Sequence, residues 1–103
     1  MGEITVKNAV EMLESDTSIL LVDVRSRDEF AAEHIPNSIN IPLDEIEQRH
    51  DLLKGYSQIL LLCRSGARSS AACILLKDFF TVTNIRGGIQ EWKELGYQVE
   101  KDK

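Results

Sequence analysis

Residues Ile59-Leu60-Leu61-Leu62 form an unbroken apolar run that is too short for a helix of its own and has no polar face. Such a run is a strand buried on both sides. After it comes Cys63-Arg64-Ser65-Gly66-Ala67-Arg68-Ser69, and then Ser70 to Phe80, a stretch long and apolar enough for a buried helix. The order of these pieces places Cys63 at the carboxyl end of a strand, facing the amino end of the next helix. Ligands of open α/β sheets bind at that edge. Helix amino termini attract anions there because their first N–H groups lack partners within the helix. A thiolate is an anion, so the same geometry lowers a cysteine pKa. Cys63 is therefore the candidate nucleophile.

The rest of the chain repeats the alternation. Thr5 caps a predicted helix over residues 6–14, and Ile19 to Val24 reads as a second buried strand. Ser26 with Glu29 three residues on is a capping box for a short helix through Ala31 and Ala32. A turn at Pro36-Asn37-Ser38 leads to a short strand, Ile39 to Ile41, ended by Pro42. A helix is predicted from Leu43 to about Arg49, a strand over 82–85, and a last helix carrying Ile89, Trp92 and Leu95 after the Gly87-Gly88 turn. Strands alternating with helices give an α/β fold, a small, open, mostly parallel sheet flanked by helices. The strand ending near Val24 and the strand ending at Leu62 then finish on one edge. Asp23, Arg25 and Cys63 converge there although forty residues apart in sequence.

With 103 residues the chain is expected to form one domain, with a core over about 4–99 and a frayed tail at 100–103. The net charge of −5 favours neither nucleic acid nor an anionic membrane, so the arginines beside Cys63 stand against the overall sign. No run approaches the ~18 apolar residues of a membrane span. The amino terminus lacks the basic and apolar regions of a signal peptide, and Val6 stands where myristoylation wants Ser or Thr. Two cysteines make no disulfide scaffold, and a reducing cytoplasm is the expected location. Two widely spaced histidines and two cysteines offer no metal site.

Several motifs together resemble the rhodanese domain, the sulfurtransferase fold. They are Val22-Asp23-Val24-Arg25 followed by Glu29-Phe30, then His34-Ile35-Pro36, Asn40-Ile41-Pro42, the Cys63 to Ser69 loop, and Gly87-Gly88 ahead of Trp92 and Gly96-Tyr97. The resemblance runs from Ile4 to about Val99. It departs at Glu33 and Asn37-Ser38, where the family usually has glycine and Gly-Ala. Asparagine tolerates the left-handed conformation that glycine would supply at that turn.

The resemblance implies transfer of a sulfane sulfur through a Cys63 persulfide, with no metal or organic cofactor. The donor would be a small anion, thiosulfate or a low-molecular-weight persulfide, and the acceptor a thiol or cyanide. A second reading is a persulfide relay that docks a protein donor or acceptor, with little turnover of free thiosulfate. A catalytically dead regulatory domain is disfavoured by the intact loop. Cysteine phosphatases of related fold place five residues between cysteine and arginine. Here four separate Cys63 from Arg68, and by that resemblance the cup suits one sulfur atom and is too tight for a phosphoryl group.

Each loop residue has a reason. Small side chains at Ser65, Gly66 and Ala67 let the backbone curl and aim its N–H groups inward. Arg64 and Arg68 add positive charge for the thiolate and an anionic donor. Ser69 or Ser70 caps the helix or donates to the persulfide. Asp23 and Arg25 read as a salt bridge bracing the loop, in preference to direct chemistry. Cys73, among Ala72, Ile74 and Leu75, reads as core, as does Trp92. His34 is a turn residue with its ring satisfied by backbone, and His50 and the acids Asp44, Glu45 and Glu47 are solvated helix surface. The thiol itself is expected at the accessible rim of the sheet.

Overall fold

The structure is a computed structural model and describes residues 2–102. Five strands form one sheet, all parallel, in the order β1 (Gly2–Ile4), β5 (Val82–Ile85), β4 (Gln58–Leu62), β2 (Ile19–Asp23), β3 (Ile39–Asn40). The helices are α1 (Val6–Ser15), α2 (Arg27–Ala32), α3 (Ala67–Leu76) and α4 (Gly88–Glu94). Alternate side chains of the central strands point to opposite faces, as the pleat requires. Leu20, Val22, Ile59 and Leu61 pack with Ala72, Cys73 and Leu76 of α3, together with Ile46 and Leu53. Leu21, Leu60 and Leu62 pack on the other face with Val6 and Ala9 of α1 and Ile89 and Trp92 of α4. Leu60 to Leu62 are fully buried, and truncating such a side chain to alanine typically costs about 2–5 kcal/mol. The register sets Asp23 beside Leu62, so β2 and β4 end at one level and deliver their next residues to one edge.

Thr5 caps α1, its hydroxyl accepting from the Asn8 amide, and the Ser26–Glu29 capping box is present in both directions. Asn37 adopts φ 69°, the left-handed conformation expected of asparagine at that turn. Four expectations need correction. The predicted 43–49 helix is replaced by two 3-10 turns, Leu43–Glu45 and His50–Leu53: Ile46 and Leu53 are buried in the core and Leu43 packs partly against it, too few apolar contacts for a continuous α-helical stripe. Strand β1 was not foreseen: it is three residues long and lies at the sheet edge against β5. Helix α3 starts at Ala67 and ends at Leu76, where the Phe79 and Phe80 amides close onto the Leu76 carbonyl. The tail is held through residue 102: His34 and Glu100 exchange backbone hydrogen bonds of 2.8 Å, and the Asp102 amide donates to the Ala31 carbonyl. Met1 and Lys103, the ends of the expected domain and tail, lie outside the described residues. Among the described residues no helix is long and apolar enough to cross a membrane.

Candidate active site

The backbone turns sharply after β4. Gly66 takes φ 109°, which side-chain-bearing residues rarely adopt, and it is the residue from which α3 starts. This reversal points the Gly66 amide back at Cys63, whose Sγ accepts it at 3.0 Å. The Ser69 hydroxyl, one turn into α3, lies 3.3 Å from the same sulfur. Burial opposes ionisation and would raise the thiol pKa. The Ser69 hydroxyl and the amides of Ser69, Gly66 and Ser65 outweigh it, leaving Cys63 below the ordinary thiol value. Cys63 is only 1% exposed, so the sulfur lies on the floor of its loop and not at the accessible rim. The curled loop and the start of α3 enclose it.

Neither arginine of the loop hydrogen-bonds to the sulfur. Arg68 extends to α2, where its two terminal nitrogens donate to the two Glu29 carboxylate oxygens at 2.6 and 2.9 Å. Those hydrogen bonds pull the Glu29 carboxyl down to about 2 and raise Arg68 further. Arg64 is exposed and has no ion-pair or hydrogen-bond partner for its guanidinium among the described residues. Electrostatic support of the thiolate therefore comes from amides and a hydroxyl, with guanidinium charge at the periphery.

Asp23 and Arg25 pair with each other, and their side-chain hydrogen bonds run to the end of α2 and not to the Cys63 loop. Asp23 is fully buried, and its carboxylate accepts from Arg25 Nε at 3.0 Å and from its terminal nitrogen at 2.8 Å. The same Arg25 nitrogen donates to the Glu33 carbonyl at 2.7 Å, tying the end of β2 to the end of α2. Asn40 donates to the Asp23 and Arg25 carbonyls. Removing one partner of such a buried pair strands the other charge, at a cost of about 3–5 kcal/mol.

Three contributors are absent from the candidate set read from sequence. Glu29 reads from sequence as a helix cap and as part of a motif, with no partner assigned, and its pairing with Arg68 depends on how α2 docks. Asn84, buried in β5, has Oδ1 2.5 Å from the Ser69 hydroxyl, and its Nδ2 donates to the Gly66 carbonyl at 3.3 Å. Ser69 has one hydroxyl proton, so Asn84 and Cys63 compete for it. A buried asparagine in a strand of Val, Thr and Ile was the available signal. Gly88 is the third. A Cβ there would collide with the carbonyl groups of Cys63 and Arg64, while the next two amides hold those carbonyls, Ile89 N to Cys63 O at 2.9 Å and Gln90 N to Arg64 O at 3.1 Å. The start of α4 thus grips the outer backbone of the loop.

The remaining candidates fall outside the site. Cys73 is fully buried beside Leu76 and Ala72, burial pushes its thiol up to about 11, and both cysteines are free. His34 stacks on Phe30, with Nδ1 2.9 Å from the Phe30 carbonyl oxygen. Trp92 is core, its indole N–H donating to the Gln98 carbonyl. No group of ligating side chains suited to a metal occurs among the described residues. A hollow of about 500 Å³ between His50, Leu75 and Phe79 lies at the far end of α3 and is lined by no residue of the Cys63 loop.

The sequence profile of the rhodanese-like domain matches residues 5–95. The chain belongs to the rhodanese-like domain family. Among rhodanese-like relatives, a sulfurtransferase of Allochromatium vinosum is 33% identical over 101 residues, which is 96% of this chain and 94% of the relative. A candidate sulfur carrier protein of Bacillus subtilis, YrkF, is 35% identical over 92 residues; the match covers 87% of this chain and half of that longer protein. The solved structure of a rhodanese-related protein from Thermoplasma volcanium superposes with a TM-score of 0.88 at 31% identity, covering 97% of this chain and 98% of that one. The five-stranded parallel sheet flanked by helices is the rhodanese fold, and the family is one of sulfurtransferases.

Proposed function

We propose that this single domain transfers a sulfane sulfur with Cys63 as the covalent carrier. The observation supporting this most directly is the buried Cys63 sulfur, met by the Gly66 amide and the Ser69 hydroxyl, with its pKa held down. With thiosulfate as donor, the thiolate attacks the outer sulfur, one S–S bond forms as another breaks, and sulfite leaves with the electron pair. The resulting persulfide carries its negative charge on the terminal sulfur, where inward amides of the Ser65 to Ser69 loop stabilise it. An acceptor thiolate or cyanide then attacks that sulfur and regenerates the Cys63 thiolate. The net reaction moves one sulfur atom without any external electron donor. In this scheme Arg64 attracts the anionic donor, Arg68 frames the loop through Glu29, and Asp23 with Arg25 keeps the neighbouring strand end rigid. A reducing cytoplasm suits two free thiols.

A protein-to-protein relay is the second reading, favoured by the sulfur-carrier name of the Bacillus relative. Intact-protein mass after incubation with thiosulfate tests the first. We expect a gain of roughly 32 Da, one sulfur, that is absent in Cys63→Ser and retained in Cys73→Ala. Loading from a persulfidated protein but not from thiosulfate would favour the relay. An adduct that survives in Cys63→Ser would remove Cys63 from both.

A further inference from the structure

Asn84 is a polar residue on a largely apolar face of the sheet. Val82, two residues before it on β5 and so on the same face, packs into the core cluster that includes α3. A buried amide is costly there unless its groups find partners, and Asn84 is 3% exposed. Its Nδ2 donates to the Gly66 carbonyl and to a Glu3 carboxylate oxygen, both at 3.3 Å. Two acceptors on that side fix the orientation of the amide, because a flip would set Oδ1 against both of them. Oδ1 therefore faces the Ser69 hydroxyl, at 2.5 Å.

Ser69 Oγ has one proton and three acceptors within reach: Asn84 Oδ1, Cys63 Sγ at 3.3 Å and the Gly66 carbonyl at 3.3 Å. With the thiol protonated, the S–H donates to Ser69 Oγ while the hydroxyl donates to Asn84, and all three groups are satisfied. With the thiolate, the hydroxyl must turn to the sulfur, and the buried Asn84 oxygen loses its donor. That loss opposes ionisation. Sulfur transfer reverses the balance. The persulfide carries its charge on the terminal sulfur, about 2 Å further out, and Sγ becomes a neutral bridging atom. The Ser69 proton, which stays on Oγ throughout, then swings back to Asn84.

We propose that Asn84 is a positioning residue of the site: by competing for the Ser69 proton it keeps the Cys63 thiolate reactive, and it takes that proton back once the sulfur has been transferred. The proposal rests on the sulfur-transfer reading above. A thiolate relieved of part of a hydrogen bond is the stronger nucleophile, whereas one stabilised too well gains ionised fraction at the expense of reactivity. Asn84 acts through Ser69 and exchanges no atom or electron with the substrate. The charged groups around the loop are Arg64 and Arg68, the Asp23–Arg25 pair, Glu29 on α2 and Glu3 on β1, and none of them changes in the variants below.

The test is a double-mutant cycle of Asn84→Leu and Ser69→Ala, read by the pH dependence of alkylation at Cys63, with thermal melts confirming that each variant is folded. Asn84→Leu removes the acceptor with a side chain of similar size. With Ser69 present it should move the alkylation profile to lower pH by roughly half a unit to one unit, a threefold to tenfold gain in thiolate below the midpoint. At full ionisation the rate constant should fall by about twofold to threefold. In the Ser69→Ala background neither change should occur. Any shift that remains there measures loop displacement through the lost bond to the Gly66 carbonyl, and it is subtracted. Asn84→Ala supplies the same cycle where the leucine variant is unfolded. A difference of zero between the two backgrounds, or one toward higher pH, overturns the role of Asn84, while thiosulfate uptake on wild-type Cys63 leaves the sulfur-transfer reading standing. Absence of uptake on wild-type Cys63 from both thiosulfate and a persulfidated protein removes that reading, and the role of Asn84 in it.

Discussion

Replacing Gly88 by alanine would test the grip of α4 on the nucleophile loop, and the structure allows the cost to be divided. Gly88 has φ +59°, and an added Cβ would press on the carbonyl groups of Cys63 and Arg64, which are backbone and cannot swing aside. The left-handed conformation costs a non-glycine residue about 1–2 kcal/mol. Moving the loop away also weakens the hydrogen bonds from the Ile89 and Gln90 amides, each contributing about 0.5–1.5 kcal/mol. The sum is on the order of 3 kcal/mol, or roughly 12–20 °C in Tm for a domain of this size. Gly96→Ala is the matched control: its φ is +84°, but no atom lies within 4 Å of the added carbon. It carries the conformational cost alone, and the gain from restricting the unfolded chain is shared by both variants and cancels. The two should therefore differ by about 1–3 kcal/mol in urea or thermal unfolding, the share assigned to the lost hydrogen bonds. Gly88→Ala should also shift Cys63 alkylation to higher pH, because a displaced loop no longer aims its amides at the sulfur. Equal melting temperatures and equal alkylation profiles in the two variants would refute the proposed grip.

Other consequences can be measured with the same assays. Glu29→Gln should lower stability at pH 7 by about 1 kcal/mol or less, since both partners of the pair are more than a third exposed and solvent screens them. Because the Glu29 carboxyl is held near 2 against an ordinary 4.5, its contribution is present above about 4.5 and lost as pH falls toward 2. The gap between wild type and variant should accordingly close across that window in urea titrations, and a gap that widens in acid would contradict the pairing. Ser69→Ala removes a donor from the thiolate, so the alkylation profile of Cys63 should move to higher pH, with a several-fold loss of rate at neutrality. That loss belongs at the low end of a charged hydrogen bond because Asn84 competes for the same proton. An unchanged profile would assign the lowered thiol pKa to the amides alone.

Local signals carried much of the architecture. The apolar run Ile59 to Leu62, the Thr5 cap and the Ser26–Glu29 box each complete their meaning within a few residues, and each matches its element in the structure. The position of Cys63 between a buried strand and a helix amino terminus followed from the same short-range logic. Where the apolar pattern was thin, as over Leu43 to Leu53, the expected helix dissolved into short turns.

The partners of the loop could not be read this way. Glu29 meets Arg68, Asn84 meets Ser69, and Gly88 meets the Cys63 carbonyl across separations of 39, 15 and 25 residues, distances in sequence that only the packing of α2, β5 and α4 on the sheet brings together. The ordered tail, tied to His34, belongs to the same class. Periodicity and capping are properties of a few consecutive residues and survive without the fold. Which carboxylate a guanidinium finds, and how deeply a thiol sinks, depends on the register and docking of elements far apart in the chain.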